Sequence, residues 1–256
     1  MYAIISPAKR QSRQTGAYPH TSQPFFKSKT SELVQTLQPK TVDELQQLMS
    51  VSANLATLNH QRYHDFDQSN YTEKNSHPAA FFFQGDVYQG LDTATWTTQD
   101  CMYSQRYLGI LSGLYGWLKP LDLVQPYRLE MKTALANTRG KDLYAFWGHS
   151  ITDAIAQHMR ENNINCCVNL ASIEYAKVVQ PERLPGQWLQ VAFKEPGPNG
   201  LRVVALRAKR ARGLLAAYMM QQRVQDRDHL RAFAEEGYAF SAAHSNAQCD
   251  VFIRQS

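Results

Sequence analysis

The sequence predicts an α+β fold: a single mixed domain with a central sheet, surrounding helices, and a helix-hairpin-helix-like element beside a basic cleft. Three observations lead there. At 256 residues the chain can bury one sizeable core, and 43% hydrophobic with 19% charged residues suits a globular protein. Strand-like runs are interspersed with helical apolar stripes, and no repeat or composition break divides the chain, so residues 1–256 are read as one domain. Positive charge is gathered in two distant blocks. Residues 1–40 carry net +5 and residues 201–231 net +6, whereas 41–200 carry −4 and 232–256 carry −2. Folding that joins the two blocks would wall a single basic cleft.

The elements follow in order. Residues 1–5 read as a short buried strand, and 10–29, polar with Gly16, Pro19 and Pro24, as a long surface loop. Thr41-Val-Asp-Glu44 has capping-box spacing, and Leu45, Leu48, Met49 and Leu55 continue an apolar stripe at helical spacing. Residues 79–84 read as a buried strand that turns at Gly85-Asp86, and a helix is expected from Thr97 or Thr98 towards Ser112. Trp188–Lys194 and Leu201–Arg207 read as strands around a tight turn at Asn199-Gly200. A helix from about Ala208 is expected to turn Leu214, Leu215, Tyr218 and Met219 towards the core.

Composition narrows the setting. No apolar run reaches the roughly 20 residues that span a bilayer, and the N-terminus places apolar residues before basic ones, unlike a secretory signal. A cytoplasmic location is expected. Cys101, Cys166, Cys167 and Cys249 form no CxxC pair and read as structural thiols. No close His/Cys cluster or Glu-x-x-His stands in the chain, so no metal site or cofactor is expected, and iron handling has no ligand set to support it.

Three motifs carry chemistry. Gly113-Leu-Tyr-Gly116, with Ser112 before it and Lys119 after it, reads as a glycine turn between two short helices. Such a turn presents backbone N–H groups to a phosphate oxygen without reading a base. Helix-hairpin-helix elements more often have Gly-x-Gly, and a turn without a ligand fits the same residues. Second, Ala208-Lys-Arg-Ala-Arg-Gly213 sets Lys209 and Arg212 on one helix face and Arg210 on another. Positive charge at a helix start opposes the helix dipole, which points to an anion nearby. Third, Ser6-Pro-Ala-Lys9 follows the first strand, where substrate or phosphate contacts are common. No Gly-x-Ser-x-Gly, His-Glu-x-x-His, P-loop or dinucleotide fingerprint is present, so no catalytic signature is recognised. Asp86, Asp122, Glu130, Asp142 and Glu174 stand beside Gly, Pro or aromatic residues, either as turn caps and Arg partners or as an acid–base pair.

Taken together, these motifs resemble the YaaA family of bacterial peroxide-resistance proteins nearly end to end. The resemblance rests on Ile5-Ser-Pro-Ala-Lys9, Gly85-Asp-Val-Tyr-Gln-Gly90, Leu111-Ser-Gly-Leu-Tyr-Gly116 and Lys119-Pro-Leu-Asp-Leu123. It continues through Pro126-Tyr-Arg-Leu-Glu-Met131, Gly140-Lys-Asp-Leu-Tyr144, Phe146-Trp-Gly148 and Asn169-Leu-Ala-Ser172 with Glu174-Tyr175. Ala211-Arg-Gly213 and Glu236-Gly-Tyr238 complete it. The resemblance implies a cytosolic protein of the oxidative stress response that protects DNA or assists its repair. It also implies a positive cleft and a helix-hairpin-helix that bind duplex, bubbled or junction DNA. Carried onto this chain, the hairpin falls on Ser112, Gly113, Leu114, Tyr115, Gly116 and Lys119, and the basic wall on Lys9, Arg128, Lys209, Arg210 and Arg212. Residues 10–29 depart most from the family pattern, so no role is transferred to them. The alternative is an enzyme acting on DNA or a nucleobase- or phosphate-containing substrate, with a pocket of Lys9, Asp86, Arg128, Glu130, Asn169, Ser172 and Glu174. Convergence of those side chains would favour it.

Overall fold

The apolar run Tyr2–Ile5 forms strand β1, buried along its whole length because it has parallel neighbours on both edges and covering elements on both faces. The computed structural model describes residues 1–12 and 19–255. After β1 come β2 (Arg10–Gln11) and three helices, α1 (Lys27–Leu37), α2 (Val42–Met49) and α3 (Ala53–His64). Next are β3 (His77–Pro78), the single turn α4 (Ala79–Phe82), β4 (Phe83–Gln84), α5 (Asp86–Leu91) and α6 (Thr98–Tyr107). The middle continues with β5 (Leu108–Ser112), β6 (Gly116–Leu118), β7 (Leu123–Val124), α7 (Leu143–Trp147), α8 (Ser150–Glu161), β8 (Cys166–Asn169) and α9 (Ile173–Ala176). Last are β9 (Gln187–Gly197), β10 (Gly200–Arg202), α10 (Ala205–Gln221), α11 (Arg227–Arg231), β11 (Tyr238–Phe240) and β12 (Cys249–Arg254).

Among the described residues the main sheet has eight strands in the order β11-β12-β9-β8-β1-β5-β6, with β10 paired to β9. From β12 to β5 the neighbours run parallel, and β11 and β6 close the two edges antiparallel. The chain leaves β1 for β5 on one side and later returns to β8 on the other. Loops that leave adjacent parallel strands in this way diverge, opening a crevice beyond the carboxyl ends of β1 and β8. No helix is long and apolar enough to cross a membrane among the described residues.

The α+β architecture and the first strand agree with the sequence reading, and so do the Thr41–Glu44 capping box and the hairpin at Asn199-Gly200. Other elements differ. The stripe from Leu45 to Leu55 is split between α2 and α3, because Ser50 takes a left-handed φ of 50° and Ser52 caps a new helix. Residues 79–84 are a helical turn followed by a short strand. The helix from Thr98 stops at Tyr107 and passes directly into β5, and α10 starts at Ala205, shortening the preceding strand to three residues. The expected 10–29 loop includes part of α1, and its residues 13–18 lie outside the described residues.

The largest correction concerns Ser112–Lys119. The helix-hairpin-helix expected there is a β-hairpin, β5 turning into β6. Ser112, Gly113, Leu114, Tyr115 and Gly116 are all buried, so none of them presents a backbone N–H to a phosphate. The glycines answer to packing. A Cβ on Gly113 would stand 2.3 Å from the Leu129 carbonyl oxygen, and one on Gly116, whose φ is 71°, would stand 2.7 Å from the Trp147 ring. Ser112 Oγ accepts the Tyr115 N–H and is hydrogen-bonded to the Tyr127 hydroxyl at 2.6 Å, closing the turn internally. The turn therefore builds the core.

Asp122 illustrates a buried carboxyl held for structure. It has no exposure, and accepts the Ser22 hydroxyl at 2.6 Å and the Lys119 N–H at 2.8 Å. Burial pushes its carboxyl up to about 6, with the two hydrogen bonds opposing the rise. A raised carboxyl binds protons in the folded state that the unfolded chain has already released, so stability falls as pH rises from about 4 through 6. Asp122→Asn removes that dependence. The stability of Asp122→Asn relative to the parent protein is expected to increase by about 2–3 kcal/mol between pH 4 and pH 7. Urea unfolding of both proteins at a series of pH values measures it, and a difference that does not change with pH would contradict this account of Asp122.

Candidate functional site

The crevice beyond β1 and β8 is a cavity of about 500 Å³. Its floor comes from two strand-end loops. Ser6-Pro-Ala-Lys9 continues β1, and Leu170–Glu174 continues β8. The loops are joined where Ser6 Oγ accepts the Ser172 N–H at 2.9 Å and lies 3.3 Å from Ser172 Oγ.

One wall is the extended stretch after β7. Alternation there sends successive side chains to opposite sides. Tyr127, Leu129 and Met131 are buried, whereas Arg128, Glu130 and Lys132 project outwards along one side and line the cavity. Glu130 gathers cations: Lys9 Nζ lies at 3.0 Å, Arg128 Nη2 at 3.1 Å and Lys132 Nζ at 3.8 Å. These three cations exceed the charge of the one carboxylate they surround, which leaves positive potential for a ligand. The Arg128 side chain is only 17% exposed, and its Nε is buried without a hydrogen-bond partner among the described residues. A buried donor in that state is costly unless a ligand or water satisfies it.

The opposite wall is the crossing of α5 and α10, where two glycines let the helix backbones touch. A Cβ on Gly213 would fall 1.8 Å from the Val87 carbonyl oxygen, and one on Gly90 2.2 Å from that of Arg210. This crossing brings Asp86 of α5 and Lys209 and Arg212 of α10 into the same cavity. Among the described residues none of these three side chains has a hydrogen-bond or ion-pair partner. Arg212 is half-buried, and desolvation lowers its guanidinium from the ordinary arginine value. Burial of a cation without a protein anion suits a site that receives an anion.

The expected site residues are therefore sorted by the fold. Lys9, Arg128, Lys209 and Arg212 converge, joining residues from both basic blocks in one cavity. Arg210 does not join them, because the helix turns it towards Glu236, 2.6 Å away. Lys119 is remote from the cavity, and residues 112–116 are buried in the hairpin described above. Of the alternative enzyme pocket, Lys9, Asp86, Arg128, Glu130, Ser172 and Glu174 also converge. Asn169 stays behind the floor, where it accepts the Ala171 N–H and donates to Gln190 Oε1 at 2.8 Å, shaping the loop without lining the cavity. Asp142 caps α7 by accepting the Ala145 N–H. Arg10, Lys132 and the three aromatic wall residues Tyr88, Tyr127 and Tyr175 were not anticipated. The i, i+2, i+4 spacing of Arg128, Glu130 and Lys132 was the available signal for Lys132.

Cys101, Cys166 and Cys167 are buried free thiols, consistent with structural roles, and Cys249 is half-buried. Comparison with known proteins adds a family to this geometry. A family model described as peroxide stress protein YaaA matches residues 1–244. A UPF0246 protein of Legionella pneumophila subsp. pneumophila is 42% identical over 255 residues, covering 99% of each chain. One from Acaryochloris marina is 44% identical and covers 99% of this chain and 100% of its own. Another from Burkholderia multivorans is 43% identical and covers 100% of this chain and 99% of its own.

Proposed function

Because the chain belongs to the peroxide stress protein YaaA family, we propose that it serves the peroxide stress response by holding DNA through phosphate contacts in its basic cleft. The observation that carries this reading is the convergence of Lys9, Arg128, Lys209 and Arg212 from three separate stretches of the chain onto one cavity. The cleft holds Lys9, Arg10, Arg128, Lys132, Lys209 and Arg212 against Asp86, Glu130 and Glu174, an excess of positive charge in a chain that is only +5 overall. Phosphate contacts of this kind position a nucleic acid without reading its sequence. The DNA is duplex, bubbled or junction DNA of no fixed sequence, and the protein acts in the cytoplasm.

Binding by phosphate neutralisation must weaken with salt. Each contact contributes about 0.9 to the slope of log affinity against log salt, so the four converging cations alone predict a slope of roughly −3 to −4. Fluorescence anisotropy with duplex, bubbled and junction DNA between low and physiological salt measures it. Binding indifferent to ionic strength would overturn the reading.

A second reading is an enzyme acting on DNA or on a nucleobase- or phosphate-containing substrate. It is favoured by a separate observation, the presence of Asp86, Glu130 and Glu174 beside Lys9, Arg128 and Ser172 in the same cavity. A simple clamp for phosphate gains nothing from three carboxylates, whereas acid–base chemistry uses them. Product analysis of each DNA after incubation with the protein separates holding from turnover.

A further inference from the structure

We propose that the cavity receives one nucleotide turned out of the DNA stack, and that Ile173 enters the stack in its place. The inference rests on the DNA reading above and specifies which part of the DNA the cavity takes.

The first argument is depth. A phosphate on the outside of an intact duplex reaches exposed cations such as Lys9 and Lys132, whose side chains are 59% and 66% exposed. Arg128, at 17% with its unpartnered buried Nε, and the half-buried Arg212 on the far wall lie deeper. Satisfying those groups requires a ligand that enters. A cavity of about 500 Å³ excludes a duplex, yet lies within the roughly 300–1,000 Å³ typical of small-ligand sites.

The second argument is the lining. Lys209 and Arg212 offer charge to a phosphate, and Gln84 and Asp86 offer the mixed donors and acceptors that match a base edge. A base taken out of the stack is read in part in this manner, by hydrogen bonds to its exposed edge.

The third argument lies at the rim. Ile173 is 89% exposed, the most exposed large apolar side chain among the described residues. Its neighbours on both sides, Ser172 and Glu174, line the cavity. An apolar side chain so placed is open to solvent between two residues that line the cavity. Apolar wedges of this kind part adjacent base steps, and filling the vacated space opposes return of the base. Leu206, 65% exposed, adds a second apolar side chain one turn before Lys209. A free nucleotide would use the cavity but would give Ile173 no role.

The test uses a duplex carrying 2-aminopurine, whose emission rises when it leaves the stack. Binding is followed by anisotropy in the same samples. Saturating protein is expected to raise the emission several-fold, and a mismatch opposite the reporter, which lowers the unstacking cost, to tighten binding roughly tenfold. With each duplex saturated by protein, Ile173→Ala is expected to lose most of the emission rise and Ile173→Leu to retain it. Titration with deoxyadenosine monophosphate is the second arm. Tight duplex binding with flat emission and no mismatch preference overturns the inference and leaves the DNA reading standing. Absence of DNA binding overturns both. Binding of the free nucleotide without any change in duplex emission assigns the cavity to free nucleotides and overturns the inference. An emission rise equal in Ile173→Ala and the parent protein removes Ile173 from the role given to it here.

Discussion

Replacing Lys9, Arg128, Lys209 and Arg212 together with glutamine is expected to weaken duplex binding by on the order of 100-fold at 0.1 M salt and to flatten the salt slope by roughly 3 to 4. The effect is expected to be large because the four cations share one cavity. Lys9 and Arg128 also neutralise Glu130, so their loss leaves Asp86, Glu130 and Glu174 facing the ligand with only Arg10 and Lys132 to offset them. Arg210→Gln is the control. It lies on the same helix within the same basic run, but its guanidinium is held by Glu236 away from the cavity, and its replacement is expected to leave affinity and slope unchanged. Anisotropy titrations across salt, with circular dichroism to confirm folding, read both results. Equal losses in the two variants would mean that general basicity, rather than the cavity, holds DNA.

Gly213→Ala is expected to be the most damaging single methyl group at the crossing of α5 and α10. Its Cβ would sit 1.8 Å from the Val87 carbonyl oxygen and 2.8 Å from the Leu91 nitrogen, and both are backbone atoms that no rotamer change can move. The clash separates α5 from α10. Overpacking usually costs about 1–3 kcal/mol, and a backbone-to-backbone contact belongs at the upper end of that range. For a protein of this size that lowers Tm by roughly 6–12 °C. Because the same crossing sets Asp86 opposite Lys209 and Arg212, DNA affinity is expected to fall as well, even at temperatures where the variant remains folded. Thermal unfolding and anisotropy at low temperature separate the two effects. A Tm within about 1 °C of the parent protein would show that the two helices accommodate the methyl group.

Several parts of this arrangement were readable from residues near one another in the chain. The apolar run at Tyr2–Ile5, the loop Ser6–Lys9 at its end, the Thr41–Glu44 capping box and the Asn199-Gly200 hairpin depend on local conformation, and local pattern identifies them. The misread elements depend on partners far away. Gly113 and Gly116 have the spacing of a phosphate-binding turn, yet they are glycine because Leu129 and Trp147 press against them. Arg210 and Arg212 are two residues apart in the same basic run, and only the position of Glu236 and of the α5 crossing separates their roles. Asn169 ends β8 and Ser172 lies in the loop after it, and the hydrogen bond to Gln190 turns the first inward while the second reaches the cavity.

By itself, then, the sequence determined the fold class, the family, and the presence of two basic blocks near opposite ends of the chain. Those properties follow from composition, periodicity and the order of short motifs, which need no knowledge of what lies across the core. Only the tertiary structure decided which charges face one another. The central place of β1 between β5 and β8 brings Lys9 towards Glu130, and the close crossing of α5 and α10 adds Lys209 and Arg212. Side-chain proximity across hundreds of residues is a property of packing, and burial decides whether a basic side chain meets an acid, solvent or a ligand. The glycine turn was assigned to the core, and the phosphate-binding role proposed for this chain passed to the cavity, for that reason.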